Sequence, residues 1–281
     1  MVWRDVISKS AAYLAAKGVP EAAVAAELLV ARLLRCGRGD FAAVFEKEAG
    51  ERYLEAMRRA MARLVKGEPV QYVLGEWDFR RLTLKCDRRA LIPRPETEEL
   101  VTRVLKQLGD GMTVVDVGTG TGAIALSLAA EFKGAATIIA TDVSEDAIAL
   151  AKENAERCAL ADRVTFAVMD GLDEFDEPAC VDILVSNPPY IESAVCETLD
   201  RRVRDFEPRL ALDGGANGLD FYDRYLADAL NLLKPGGRVF FEIGEGQGAA
   251  VRKLMGDYGF ADIAIEKDYA GHDRYALAAL Q

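Results

Sequence analysis

An asparagine, two prolines and a tyrosine stand in a row at 187–190. They follow the apolar, β-branched run Val181 to Val185, which predicts a strand ending at that point. In an open α/β sheet, ligands bind beyond the carboxyl ends of the strands. Two prolines carry no backbone N–H, so the ladder cannot continue through them and their carbonyls stay free. The Asn187 side-chain oxygen and the Pro188 carbonyl then make two acceptors at one spot, with Pro189 and the Tyr190 ring beside them. That set suits a planar NH2 group on an sp2 carbon, either a carboxamide or the exocyclic amine of a base. A plain Pro-Pro turn after a strand would use the same residues.

A second constellation lies upstream. Thr113 to Val117 reads as a buried strand, and Gly118-Thr119-Gly120-Thr121-Gly122 follows before a helix. Glycines there let backbone approach a ligand, and the helix N-terminus offers free N–H groups. A nucleotide, NAD or S-adenosylmethionine would each fit such a loop, as would a tight turn with no ligand. Asp142 ends the next strand, 20 residues beyond Gly122, where a carboxylate can accept from both hydroxyls of a ribose. Two details separate the candidates. The spacing is Gly-x-Gly-x-Gly, without the Gly-x-Gly-x-x-Gly of dinucleotide folds. Asp116 stands two residues before Gly118, where it would repel a pyrophosphate but accept from a ligand ammonium. Asp170, before Gly171, is placed to accept from an adenine amine, although a strand-end turn explains it equally well.

The elements that must hold these residues alternate. Strands are expected near 113–117, 137–141, 164–168, 181–186, 237–242 and 275–279, with helices near 122–132, 145–157 and 219–233. That order predicts a mostly parallel sheet with helices on both faces. Residues 1–66 read as helices with one apolar stripe each, Trp3, Ile7, Ala11 and Leu14 in the first and Leu54, Met57, Met61 and Leu64 in the last. Such helices need one another, which predicts a small bundle. Pro20 is placed to open a second helix, and Tyr72 to Lys85 reads as a hairpin or extended linker whose turn, Arg80-Arg81, lacks glycine. The expected division is a helical domain at 1–68, a linker or hairpin at 69–90, and a catalytic α/β domain at 91–281.

Length and composition agree with that layout. The 281 residues suffice for one large and one small domain, and 51% hydrophobic content indicates a sizeable core. No apolar run approaches the ~20 residues that span a bilayer, and the N-terminus lacks a secretory layout, so a cytoplasmic protein is expected. Five scattered cysteines and one histidine, His272, predict reduced thiols and no metal site. The net charge of −11 divides unevenly: residues 1–66 hold 12 basic and 8 acidic side chains, +4, and the rest hold 23 and 38, −15. An acidic catalytic half disfavours duplex DNA, whose binding rests on phosphate neutralisation.

Taken together, Asp116 to Ala125, then Asp142, then Ser186 to Ile191 resemble a class I methyltransferase acting on a planar nitrogen. Leu91-Ile92-Pro93-Arg94-Pro95-Glu96-Thr97-Glu98 and Pro69 to Gly75 resemble the HemK/PrmC family, the release-factor glutamine methyltransferases. Glu207-Pro208, Leu212 to Gly215, Gly218 to Asp220 and Glu242 to Gly244 are similar as well, so the resemblance spans nearly the whole chain. It departs at Gly171, where the family often has an aromatic residue against the adenine and where Leu172 would substitute. It departs also at Asn217, where aspartate is common.

The resemblance implies a Rossmann-like domain with a mostly parallel seven-stranded sheet, and S-adenosyl-L-methionine as methyl donor. It implies the Gly-Gly-Gln glutamine of class 1 peptide chain release factors as acceptor, and action as a monomer without direct DNA or membrane binding. Asn187 Oδ1 and the Pro188 carbonyl would orient the amide, with Tyr190 packed on its plane. Asp116, the loop Gly118 to Gly122, Asp142, Asp170 and Gly171 would hold the cofactor. Arg94 and Glu96 would wall the substrate slot, although Pro95 and the acids after it also make a good helix start. An adenine-N6 methyltransferase, a ribosomal-protein glutamine methyltransferase and a non-catalytic translation protein are the rival readings.

Overall fold

A computed structural model describes residues 1–173, 175 and 177–281. They form two compact units, Met1–Glu76 with Asp200–Phe206, and Trp77–Leu199 with Glu207–Gln281.

In the first unit, helices α1 (Trp3–Ala16), α2 (Ala22–Leu34) and α3 (Glu51–Val65) bury one stripe each, with Leu14, Val30 and Met57 at its centre. The expected bundle is present, and α2 begins two residues after Pro20. A short α4 (Val70–Leu74) follows, with Gly75 at φ 75° closing it in the left-handed region open to glycine. Arg63 joins α3 to α4, bonding Glu68 at 2.7 Å and the Tyr72 carbonyl at 3.0 Å.

The hairpin expected after Tyr72 forms later and shorter, as β1 (Glu76–Phe79) and β2 (Leu82–Lys85). Its turn manages without glycine. Arg80 sits at φ 53°, and its guanidinium bonds Thr102 at 2.7 Å and Glu131 at 2.6 and 2.9 Å. Those charge-assisted bonds offset a left-handed cost of order 1 kcal/mol.

The second unit is built on a seven-stranded sheet. Its parallel strands are β3 (Thr113–Val117), β4 (Thr137–Asp142), β5 (Thr165–Val168), β6 (Val181–Ser186) and β7 (Leu233–Glu242). After the last helix, β8 (Ala261–Lys267) and β9 (Asp273–Ala279) complete the spatial order β5-β4-β3-β6-β7-β9-β8, with β9 antiparallel to both neighbours. The chain reverses direction of growth at β3, so a crevice opens above β3, β4 and β6.

Helices α5 (Pro95–Leu105), α6 (Ala123–Glu131) and α7 (Glu145–Arg157) lie in the first half of the unit, with α5 and α6 on one sheet face over Val114, Ile138 and Val185. The opposite face, with Val115, Leu184 and Phe241, is covered by α10 (Asp220–Leu232) and α11 (Gly248–Asp257). Two short turns separate β6 from α10 in sequence, α8 (Ser193–Cys196) in this unit and α9 (Arg201–Arg204) in the first. Strand β8 and helix α11 were not anticipated; β8 is half-exposed at the sheet edge, so its apolar signal is reduced to Ile263 and Ile265.

Candidate active site

The carboxyl ends of β3, β4 and β6 open onto a cavity of about 1000 Å³, mouth included, wholly within the second unit. Gly118, Thr119, Gly120 and Thr121 form its floor, and Asp142 stands at one side. Gly122 lies behind the wall at φ 83°, where a Cβ would sit 3.0 Å from Leu126 and 3.3 Å from Ala151. Its role is the close approach of α6 to α7.

Asp116 is also behind the wall, as the structure keeps its carboxylate fully buried beneath the loop. Oδ2 accepts from Thr119 Oγ1 at 2.6 Å and from the Ala125 N–H, in the first turn of α6, at 3.1 Å. It thereby caps α6 from below and pins the loop. Oδ1 has no hydrogen-bond partner among the described residues. Burial pushes this carboxyl up to about 7, against the two hydrogen bonds and with a smaller push from Asp142. An ammonium acceptor in the cavity wall was expected here; the side chain supports the wall instead.

Asp142 does face the cavity. Its oxygens each take one backbone N–H, Gly120 to Oδ2 and Ser144 to Oδ1, both at 2.9 Å. A carboxylate oxygen has two lone pairs, so both keep capacity for a hydroxyl. Burial raises this carboxyl too, opposed by those two bonds.

The far wall departs from expectation. Asp170 and Gly171 line the cavity, but the Asp170 carboxylate is more than half exposed and bonds Arg224 of α10 at 2.7 Å. Gly171 has φ 68°, and a Cβ there would meet the Arg224 guanidinium at 3.2 Å. An aromatic side chain at 171 is therefore incompatible with this arginine bridge. Leu172 does not substitute, since it is buried in the core. The aromatic surface comes from α10, where Phe221 and Tyr225 line the cavity with ring centroids 5.9 Å apart.

On the β6 side, Ser186 Oγ donates to the Val117 carbonyl at 2.7 Å, locking the two strand ends together. Asn187 and Pro189 line the cavity; Pro188, Tyr190 and Glu96 do not. Asn187 Nδ2 donates to Thr97 Oγ1 at 3.1 Å, and Thr97 Oγ1 donates to Glu242 Oε2 at 2.6 Å. The Tyr190 hydroxyl reaches Glu242 Oε1 at 3.4 Å. Its ring packs against the core under α10, so Tyr190 backs the site instead of stacking on a ligand plane. Glu242, 1% exposed, is pushed up to about 7 by burial; Thr97, Arg274 and Tyr190 oppose that push and Glu96 adds to it.

The loop after Tyr190 is braced by the glycine segments downstream. Gln247 Nε2 donates to the Tyr190 and Gly218 carbonyls at 3.0 and 3.1 Å, and a Cβ on Gly214 would stand 2.7 Å from the Pro189 carbonyl. Asn217 Oδ1 accepts from the Leu219 N–H at 3.0 Å, a bond an aspartate would make equally well. Arg94 lines the cavity, with Nη2 donating to Glu207 Oε1 at 2.6 Å. Glu207, itself buried, accepts also from the Ile92 N–H at 3.1 Å and so fixes the Ile92 to Arg94 strip. Glu96 contributes a backbone carbonyl to the Tyr275 hydroxyl at 2.8 Å. His272 is on the surface, 2.7 Å from Glu245. Among the described residues no cluster of His, Cys, Asp and Glu could hold a metal ion, and no helix is long and apolar enough to cross a membrane.

The residues that sequence reasoning did not assign a role are Thr97, Glu207, Glu242, Phe221, Tyr225 and Arg224. A signal existed for Glu242, a lone carboxylate closing the apolar strand Val239-Phe240-Phe241. None marked Phe221 and Tyr225, which look like any helical pair.

Known proteins resemble the chain along most of its length. Residues 108–253 match the family described as a methyltransferase domain, and residues 5–75 match the PrmC N-terminal domain. The chain is 40% identical to the release factor glutamine methyltransferase of Moorella thermoacetica, over 99% of this chain and 98% of that one. It is 38% identical to the protein of the same name from Geobacter sulfurreducens, over 97% and 95%. Among solved structures, the hMettl16 catalytic domain aligns with a TM-score of 0.55 at 20% identity, over 71% of this chain and 75% of that one. A methyltransferase from Pyrococcus furiosus aligns at 0.53 and 19%, over 79% and 98%. These two share the fold.

Proposed function

This chain belongs to the release factor glutamine methyltransferase family, and from that premise we propose how its residues divide the work. It is an S-adenosylmethionine-dependent enzyme that methylates the side-chain amide nitrogen of a release-factor glutamine. We assign the acceptor to the Gly-Gly-Gln loop of class 1 peptide chain release factors, and docking of that protein to the helical residues 1–68, which lie within the first unit. The acidic remainder of the chain supports a protein substrate over DNA. Five free cysteines suit the reducing cytoplasm.

The residues present fit the cofactor. Gly118, at φ 71°, has no atom within 4 Å of where a Cβ would stand, so its backbone is open to a ligand. Asp142 offers two acceptor oxygens for ribose hydroxyls, and Phe221 with Tyr225 offers an aromatic face for adenine. When bound, S-adenosylmethionine supplies an electrophilic methyl on a sulfonium.

A carboxamide nitrogen is a weak nucleophile, because its lone pair is delocalised into the carbonyl. Asn187 Oδ1, in the cavity wall, accepts one of its protons and aims the nitrogen along the line of attack; the Pro188 carbonyl, expected to take the other, lies behind the wall. Arg94 and Pro189 wall the slot, and the proton leaves after transfer. Positioning and electrostatics carry the rate. The observation that carries this reading is the placement of Asn187 and Asp142 in one cavity, with the glycine loop between them. The test is incubation with radiolabelled S-adenosylmethionine and, separately, an intact release factor, an adenine-rich oligonucleotide or a ribosomal protein mix. Label is expected in the release factor, and label in the oligonucleotide alone would overturn the assignment.

A further inference from the structure

Three side chains from three separate segments make a one-way hydrogen-bond chain behind the cavity. Asn187 Nδ2 donates to Thr97 Oγ1 at 3.1 Å, and Thr97 Oγ1 donates to Glu242 Oε2 at 2.6 Å. A threonine hydroxyl has a single proton, and an ionised carboxylate can only accept. Once that proton is held by Glu242, Thr97 has only a lone pair to offer Asn187. The asparagine must then turn its NH2 end toward Thr97 and its oxygen away. We propose that Glu242 and Thr97 are positioning residues that fix which end of the Asn187 carboxamide meets the substrate, making the site an acceptor for NH2 groups. This rests on the role assigned to Asn187 above.

Without the relay, the amide can flip and point NH2 at NH2. Two donors facing each other would repel the substrate nitrogen. Glu242 is well placed to impose direction because it is sealed in. Thr97 and Glu96 face it from α5, Tyr190 from the loop after β6, Arg274 and Tyr275 from β9, and the Tyr222 hydroxyl bonds its backbone carbonyl at 2.9 Å. Arg274 is the one cation among them, and it is shared with the Ile243 carbonyl at 3.1 Å and Asp268 at 3.3 Å. Protonated Glu242 would donate to Thr97, free the hydroxyl proton for Asn187 Oδ1 and release the flip. Since burial moves this carboxyl up to about 7, turnover should fall on the acid side of neutrality.

The experiment measures kcat and cofactor affinity for T97V, T97S, E242Q, N187A and the T97V/N187A pair, with intact release factor across pH. T97V keeps the shape and removes the hydroxyl; its kcat should fall by about 10- to 100-fold, the loss typical of a misaligned reacting group. Cofactor affinity should hold, the melting temperature should fall only by the cost of the lost buried hydrogen bonds, about 1–3 kcal/mol, and T97S should recover most of the turnover and of the stability. E242Q should abolish the acid limb of the kcat profile. In the N187A background T97V should cost nothing further, because the two act as a unit. A collapse in N187A with full turnover in T97V would refute the relay and leave the asparagine assignment standing. Full turnover in N187A would refute the assignment on which the relay rests. An E242Q profile with its acid limb intact, or additive losses in the pair, would also refute the relay.

Discussion

Replacing Asp116 by asparagine should make the protein's stability less sensitive to pH. The carboxyl is sealed under the glycine loop, and its midpoint moves from 3.8 in the unfolded chain to about 7 in the fold. At 1.36 kcal/mol per decade, holding it ionised above neutrality costs about 4 kcal/mol relative to the unfolded chain. The sign follows from the upward move. Stability contributed by the protonated carboxyl is complete below about pH 4 and is lost progressively as pH rises to about 7. Between about pH 5.5 and about pH 8 the parent should lose about 2 kcal/mol on this account, which the asparagine variant should not.

The substitution carries a second, constant effect. Asparagine can still accept from Thr119 and Ala125, but its NH2 would occupy the position of Oδ1, which has no partner among the described residues. An unsatisfied buried donor costs about 1–3 kcal/mol at any pH. The informative quantity is therefore the change in the variant-minus-parent difference, measured by thermal unfolding at both pH values. For a unit of this size, 2 kcal/mol corresponds to a relative shift of about 4–8 °C in favour of the variant at the higher pH. Asp142 and Glu242 titrate in both proteins and largely cancel. A difference that stays constant across the range would refute the argument that burial governs this carboxyl.

Three other outcomes are expected. Asp142→Ala should weaken S-adenosylmethionine binding by about 10- to 100-fold, the loss of hydrogen bonds to a charged group, and an unchanged isotherm would remove its ribose role. Phe221→Ala should weaken the cofactor by about tenfold or more if it forms the adenine wall. Leu172→Ala should instead destabilise the unit by the few kcal/mol typical of a core cavity, read as a lower melting temperature; the reverse pattern would restore Leu172 to the wall. Gly122→Ala adds a Cβ 3.0 Å from Leu126 at φ 83°, and should destabilise the unit by about 1–3 kcal/mol; an unshifted melt would show that α6 can yield.

The parallel sheet was legible because buried strands such as Thr113–Val117 and Val181–Ser186 are continuous apolar runs followed by turn residues. Those same turn residues are the cavity floor, which is why residue spacing places Gly118, Asp142 and Asn187 at strand ends that line it. Strand β8 was missed because an edge strand needs few apolar residues. The far wall was missed for a different reason. Phe221 and Tyr225 reach the cavity from a helix about 50 residues beyond Asp170, and only the packing of α10 on the sheet brings them there. Tyr190 was misjudged because periodicity at a strand end cannot say which of two adjacent residues faces outward.

Asp116 and Glu242 explain why the cavity wall itself carries so little machinery. Both are fully buried, both are pushed up to about 7 by that burial, and neither touches the cavity. Each takes the only proton of a threonine, Asp116 from Thr119 and Glu242 from Thr97. In the first case the hydroxyl belongs to the cofactor loop; in the second it holds the asparagine that would orient the substrate. A buried acid is costly to ionise, so neither would persist for packing alone. What each provides is direction, since a hydroxyl whose proton is taken can present only a lone pair. A proton acts differently at the two. Asp116 can take it on Oδ1, which has no partner among the described residues, and keep Oδ2 for Thr119 and Ala125, so acidification should leave cofactor affinity unchanged while turnover falls through Glu242. A cofactor affinity that declined over that range in the parent and stayed constant in D116N would mean that protonation of Asp116 does release the loop.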